Sequence, residues 1–416
     1  MLTLILFSII IGLILVYLWK VNQSYDYFKH RGISGPEPKF FFGHYQIFWS
    51  TKSFSQLIRQ WTQKYGSIYG LFTGRTPTYV VSDVDFLEEV YIKQFSSFHS
   101  RDLPKVLQVQ TDGNVHLFRS SGARWRRQRH VLNPTFSSAK LKLMSPLVKG
   151  SIEAMLNKIS QSENQEINIY DLYKRLTMDV ICRCAFGIDT DMQNDVNNPY
   201  LLKAGELFKV NIETVPMVKL SNLVPILARP FHAIAFTLSG LQKQIVDNVP
   251  LVGKILSELP GLWFLQRVQE VIDLRKDSQI KSRVDLLQLM MDVSTNDKII
   301  DYADENLMSK LLHVNETLAN IFLFMIAGYE TTSTALAYST YILATKPEIQ
   351  QKLLEEINEK QWDNLNDSEI YDLVASLTYL DYFVREVLRM YPISVKAMTR
   401  ICNTTTTVRG HTVEQG

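Results

Sequence analysis

Cysteine is nearly absent from this 416-residue chain, which holds only Cys182, Cys184 and Cys402. Three thiols cannot form a disulfide framework, so stapled secreted scaffolds are excluded and a reducing compartment is favoured. Net charge is equally scant: 44 basic against 42 acidic residues leave +2. The electrostatic footprint of a nucleic-acid binder is missing, and no nucleic-acid partner is expected. Internal repeats and low-complexity blocks are missing too. What is present is apolar, with 46% hydrophobic and 11% aromatic residues spread along the whole chain. That composition rules out disorder and suffices for one large core or two lobes.

The first apolar run is MLTLILFSIIIGLILVYLWK. Residues Leu2 to Trp19 carry no charge, a length that spans a bilayer, with Trp19 and Lys20 as an interfacial edge. A cleaved signal peptide would need a basic start and a small-residue cleavage site, and neither is there. Lys20, Lys29 and Arg31 follow the span, so the positive-inside bias puts the rest of the chain in the cytosol. Residues 1–20 are therefore expected to anchor the protein in a membrane. Residues 21–44, which include RGISGPEPKFFFGH, read as a stiff proline- and glycine-rich hinge.

From residue 45 to 416 the pattern is mainly α with a small β portion, an α+β class. Phe54, Leu57, Ile58, Trp61 and Tyr65 share one helical face. SIYGLFTGRTPTYVVSD predicts two strands joined by a Gly-Arg-Thr-Pro turn. Helical periodicity then dominates, through FLEEVYIKQF, KLKLMSPLVKGSIEAMLNKI, NIYDLYKRLTMDVICRCAFG and SRVDLLQLMMDVS. Val215 to Val249 is apolar and interrupted by Pro216, Pro225 and Pro230. It fits either a substrate-access region at a membrane surface or loosely packed helices and loops. A long helix is expected from about Glu305 to Thr345.

Three constellations carry chemistry. Within the long helix, AGYETTSTA holds Glu330, the only formal charge between Glu316 and Lys346. Glu330 and the hydroxyls of Thr331, Thr332, Ser333, Thr334, Ser339 and Thr340 argue for a helix buried in protein and against a second lipid-facing span. Gly328 leaves room for something bulky and flat to approach the backbone. Thr331 and Thr332 can bond carbonyls one turn back and loosen the helix. Glu330 beside Thr331 is then a candidate proton relay, against the blander reading of a kinked helix with a satisfied buried acid. Second, REVLRMYP places Glu386 and Arg389 three apart among apolar neighbours, where a partly buried pair would be a structural strut. Third, in GARWRRQRHVLNPTF, Trp125 and Arg129 lie four apart and suit a ligand's carboxylates. Arg124, Arg126, Arg127 and His130 complete a basic run that reads equally as a solvated face or a docking surface.

In order along the chain, a proline-rich hinge after an apolar anchor, WxxxR, AGxET and ExxR resemble a membrane-bound cytochrome P450, a haem-thiolate monooxygenase. The resemblance covers essentially the whole chain. GISGPEP, WRRQRHVLNPTFSSAKLKLM, TMDVICRCAFG and AGYETTSTAL are most similar to animal family 3 and nematode family 13. It implies a P450 fold over residues 45–416 and a haem b cofactor with its iron. It further implies an NADPH-dependent flavoprotein reductase as partner, an apolar small-molecule substrate (xenobiotic, steroid or lipid) and an endoplasmic reticulum location. Ala327 and Gly328 would lie over the haem face, and Glu330 and Thr331 would serve oxygen activation. Arg101, Trp125, Arg129 and Arg400 would bind the haem propionates. Glu386 and Arg389 would be the structural pair, and the basic run near Trp125 would receive the reductase.

The family's iron ligand is a cysteine in a glycine- and arginine-containing loop, which this sequence does not contain, so the axial cysteine is expected beyond Gly416. Cys182 and Cys184 read as core residues, and Cys402 lacks the ligand-loop surroundings. TTTTVRGHTVEQG reads as a strand and turn broken off mid-sheet. Two other functions stay open: a truncated, haem-deficient relative without activity, and a membrane-anchored protein that binds lipids or steroids without chemistry.

Overall fold

The apolar periodicities become helices, and the strands are confined to three short pairs, in a computed structural model that describes residues 1–109, 113, 115–162, 165–249, 259–277 and 285–416. The chain divides into two compact units. One comprises Met1–Val109, Asn211–Leu241 and Thr399–Gly416; the other comprises Gln110–Val210 and Gln242–Met398.

The first unit begins with the Leu2–Ser24 helix, whose apolar residues are exposed along most of its length. Among the described residues it belongs to the one segment long and apolar enough to cross a membrane. The hinge then packs against the strand pair Ile68–Thr73 and Thr76–Val81. His44 is fully buried there; its Nδ1 accepts from the Phe72 N–H (2.9 Å), and its Nε2 lies 3.1 Å from the Pro36 carbonyl. The two strands are antiparallel in register Ile68↔Val81 to Thr73↔Thr76. Their turn is Gly74-Arg75, with Gly74 at φ 64°, so Thr76 and Pro77 belong to the second strand instead of the turn. The three prolines of the Val215–Val249 region start helical segments instead of breaking them. Pro216 opens the Pro216–Leu223 helix, Pro225 opens a 3-10 turn, and Pro230 lies in the first turn of the Ala228–Asn248 helix.

The last residues of this unit correct the reading of a strand broken off mid-sheet. Thr406–Val408 and His411–Val413 form a closed hairpin through Arg409 and Gly410, both at positive φ. Val408 packs with Phe86, Val90, Phe98 and Cys402, and Tyr79 Oη donates to the Thr412 carbonyl (3.2 Å).

The second unit is built around the Val314–Thr345 helix. Its Ile321, Met325 and Tyr329 are buried with Met178 and Ile181 of the Ile169–Ile181 helix, Phe264, Val268 and Ile272 of the Pro260–Asp277 helix, and Leu287 and Met290 of the Leu286–Met291 helix. This accords with the reading of a buried central helix. The helix starts later than Glu305, however. Glu305–Leu307 is a 3-10 turn and Leu312–His313 a short strand. A reciprocal cap sets the start: His313 Nδ1 accepts from the Asn315 N–H (3.2 Å), while Glu316 Oε2 accepts from the His313 N–H (3.0 Å). Of SRVDLLQLMMDVS, Leu286–Met291 is helical, and residues 282–284 lie outside the described residues.

Glu316 also anchors a buried ion cluster that sequence reasoning missed. Arg127 and Glu316 are 2% and 1% exposed. The Arg127 guanidinium grips both Glu316 oxygens (2.8 Å each) and Asp301 Oδ1 (2.6 Å), while Arg124 Nε and Gln128 Nε2 reach Glu316 Oε1 at 2.7 and 3.0 Å. Burial by itself would raise the Glu316 pKa; the Arg127 fork, Gln128 and the His313 N–H outweigh it and hold the pKa at about 2. A depressed carboxyl stabilises the fold above its ordinary value near 4.5, and that stability is lost as pH falls toward 2. Two outcomes follow in denaturant unfolding followed as a function of pH. The wild type should lose about 3 kcal/mol through this window, and Glu316→Gln should flatten it. Glu316→Ala at neutral pH should cost about 3–5 kcal/mol, because it strands a buried guanidinium.

Candidate active site

The Val314–Thr345 helix carries the acid and hydroxyls of AGYETTSTA on distinct faces. Ala327 is exposed, and Thr331, one turn on, is half-buried with its hydroxyl donating to the Ala327 carbonyl. Ser333 and Thr334 likewise donate one turn back, to the carbonyls of Tyr329 (2.9 Å) and Glu330 (2.7 Å). Back-bonding by these hydroxyls does not open the helix, which is unbroken from Val314 to Thr345. Thr332 is simply exposed.

Glu330 points elsewhere. Its Oε1 accepts from the Tyr170 phenol, which also lies 3.3 Å from Thr334 Oγ1. Tyr170 stands in the first turn of the Ile169–Ile181 helix. That helix runs along the long one through two further polar contacts. Thr177 Oγ1 donates to the Tyr329 carbonyl (3.0 Å), and the Tyr173 and Thr340 hydroxyls meet at 2.6 Å. Gly328 serves the same interface. A Cβ there would sit 3.0 Å from Ile181 Cδ1. The room left by Gly328 is thus taken by the neighbouring helix, which corrects the inference that a flat ligand exploits it.

Trp125 and Arg129 lie on the Gly122–Leu132 helix, half-buried and exposed respectively. The basic run around them is not one face. Arg127 and Gln128 are buried in the Glu316 cluster, and only Arg126, half-buried, and His130, exposed, remain as surface groups. The spacing held this signal. Arg124, Arg127 and Gln128 fall three and four apart and share a side distinct from that of Trp125 and Arg129.

In the other unit, an antiparallel bridge pairs Ser100 with Ile401 and so sets Arg101 and Arg400 side by side in the chain path. Arg400 lies over the Tyr91 ring (4.8 Å) and donates from Nη1 to the Thr399 carbonyl (2.8 Å). Its Nε is buried without a hydrogen-bond partner among the described residues. Glu386 and Arg389 do pair, at 2.6 and 2.7 Å, on the Thr378–Met390 helix. The pair is 58–67% exposed, so the expected partly buried strut is a surface bridge here, because its apolar neighbours Phe383 and Val387 face the opposite way into the core.

All three cysteines are buried. Burial raises the Cys182 thiol well above its ordinary range, with Asp179 adding to it. Cys402 is raised by burial too, and its Sγ donates to the Thr404 and Val413 carbonyls (3.1 and 3.4 Å). Cys182 and Cys402 are thus held as thiols in the core, and Cys184 is buried in the same cluster as Cys182. Among the described residues, no group of three or more His, Cys, Asp or Glu is placed to hold a metal ion.

The close helix contact at Gly328 is open to a direct check. Gly328→Ala should be tolerated, since the tip of Ile181 can turn aside. Gly328→Leu should cost about 1–3 kcal/mol in thermal or denaturant unfolding, by forcing the two helices apart.

The cytochrome P450 family model matches residues 33–416. Cytochrome P450 CYP13A7 of Caenorhabditis elegans is 31% identical over 99% of this chain and 79% of its own length. Cytochrome P450 3A9 of Rattus norvegicus is 31% identical over 98% of this chain and 75% of its own. Cytochrome P450 3A13 of Mus musculus is 31% identical over 97% and 74%. With the acid–hydroxyl helix, the Trp125–Arg129 face and the ExxR pair in place, the chain belongs to the cytochrome P450 family of monooxygenase enzymes.

Proposed function

We propose that this protein oxidises apolar small molecules with a bound haem b, drawing electrons from an NADPH-dependent flavoprotein reductase. The observation that carries the reading is Ala327, exposed on a helix packed over much of its length, with the half-buried Thr331 hydroxyl on its carbonyl and Glu330 next in sequence to Thr331. When bound, haem supplies the activation of dioxygen and the insertion of one oxygen atom into substrate. The protein's own share is to exclude water along the apolar helix, present the Thr331 hydroxyl, and hold a proton at the Glu330 carboxyl. Ala327, with its small exposed side chain, keeps the backbone there free of bulk.

The residues proposed for the haem carboxylates are Trp125, Arg129, Arg101 and Arg400. The buried, unpartnered Arg400 Nε suits an anionic group. Cys182, Cys184 and Cys402 do not suit the iron, and its thiolate is proposed to come from beyond Gly416. We further propose an endoplasmic reticulum membrane location, with residues 1–20 as a single-pass anchor. Exposed Ile226, Phe236 and Leu238 favour contact of the Val215–Val249 region with that membrane, as does the bond from Tyr17 Oη to the Leu223 carbonyl (3.0 Å).

The deciding experiment is the absorbance spectrum of the reduced, carbon-monoxide-bound protein expressed from its complete transcript. A thiolate-type Soret band is expected, unchanged by Cys402→Ser. A protein that takes up no haem would instead be an inactive relative or a lipid-binding protein. Reductase docking has its own check. Arg126→Glu should slow reduction by the flavoprotein several-fold at low salt, with the difference fading at high salt. An unchanged rate removes Arg126 from the docking surface.

A further inference from the structure

We propose that Tyr170 is the solvent-side entry of the proton path that ends at Glu330. The inference rests on the reading of Glu330 given under Proposed function. Tyr170 acts through Glu330, so it is a positioning residue of the path and touches no reacting atom.

The placement of the phenol carries the argument. Tyr170 donates to Glu330 Oε1, the one hydrogen-bond partner of that carboxylate among the described residues, and it sits at the exposed end of its helix. Residues 165–168 just before it are exposed and Tyr170 itself is half-buried, whereas Leu172 and Leu176–Asp179 further along are buried. The phenol thus lies between the exposed helix start and the packed stretch that follows. The charged groups around it are Asp171 and Lys174 on its own helix and Glu330 on the long one. Lys174 pairs with Asp171 (2.8 Å) and lies 4.7 Å from the Tyr170 ring centroid. The Tyr173–Thr340 and Thr177–Tyr329 contacts hold the two helices in register, so the phenol–carboxylate contact is built in.

The step balances without a co-reactant. A hydronium ion of the bulk solvent gives a proton to the phenol oxygen, leaving water, while the phenol's own proton passes to Glu330 Oε1, so that the proton gained by the carboxylate is the one lost by the solvent. The phenol is regenerated. A free phenolate is not required, which matters because burial, followed by the bond to Glu330, raises the Tyr170 phenol above its ordinary value.

The test uses the full-length, haem-loaded protein with its reductase and compares wild type, Tyr170→Phe, Glu330→Gln and the double variant. The readout is the share of NADPH electrons that leave as hydrogen peroxide instead of oxidised product. Both single variants should raise that share several-fold with substrate affinity unchanged. The double variant should be no worse than Glu330→Gln alone, since the two groups lie on one path. A peroxide share raised by Glu330→Gln and unmoved by Tyr170→Phe overturns the role of Tyr170 and leaves Glu330 standing. If Glu330→Gln changes nothing, or the wild type shows no turnover, the parent reading falls and this one with it. A second readout needs no turnover. In the full chain with 13Cζ-labelled tyrosine, the Tyr170 resonance, assigned by its loss in Tyr170→Phe, should titrate at lower pH in Glu330→Gln than in wild type. An unmoved titration overturns the contact itself.

Discussion

The buried pair of Arg127 and Glu316 is the constraint on which the arrangement of the second unit depends. Two full charges have been removed from water, at a desolvation cost that only close and complete pairing offsets. Completeness is what the structure supplies. Glu316 receives Arg127, Arg124, Gln128 and the His313 N–H, and Arg127 also holds Asp301 and the Leu311 carbonyl. The same carboxylate therefore caps the long helix and fixes the rotation of the Gly122–Leu132 helix. Once Arg127 and Gln128 are turned inward, Trp125 and Arg129 are left on another side of that helix. The orientation of Trp125 and Arg129 thus follows from a cluster on the other side of their helix.

The seam between the Ile169–Ile181 and Val314–Thr345 helices works differently. It contains hydroxyls and a glycine where the first cluster has charges. Gly328 brings the helices close, and Thr177, Tyr173 and Tyr170 each find an oxygen on the long helix. Neutral hydrogen bonds of this kind contribute about 1 kcal/mol each, far less than the Arg127 cluster has at stake. A seam held by such contacts can exchange partners locally without unfolding, which suits the part of the helix where protons must move.

Much of this was legible in the chain. The N-terminal apolar helix, the α+β class, the strand pair at Ile68–Val81 and the burial of the central helix follow from hydropathy and period, and the family follows from four motifs in order. What was not legible depended on facing. ExxR spacing says that Glu386 and Arg389 meet, but not that they meet in solvent. A run of arginines reads as one surface until a distant carboxylate, 189 residues away, claims Arg127. The apolar pattern cannot place a helix start where a histidine, an unusual capping residue, does the capping. Tyr170 carried no signal at all, because a tyrosine in the first turn of an amphipathic helix is ordinary until its partner is seen.

Two glutamates on one helix show how partner chemistry divides labour. Glu316, near the helix start, faces a guanidinium whose field opposes protonation, and it is fixed as an anion and a strut. Glu330, four turns on, faces a phenol, which offers a hydrogen bond with no charge and a proton that can be replaced from solvent. A cation at Tyr170 would turn the second acid into a copy of the first, well paired but unable to release its partner cheaply. A purely apolar residue would leave the carboxylate without the Tyr170 donor, at the cost of an unsatisfied polar group. A neutral donor that is itself a hydroxyl avoids both penalties, and among the side chains only tyrosine carries one at a reach that bridges two packed helices.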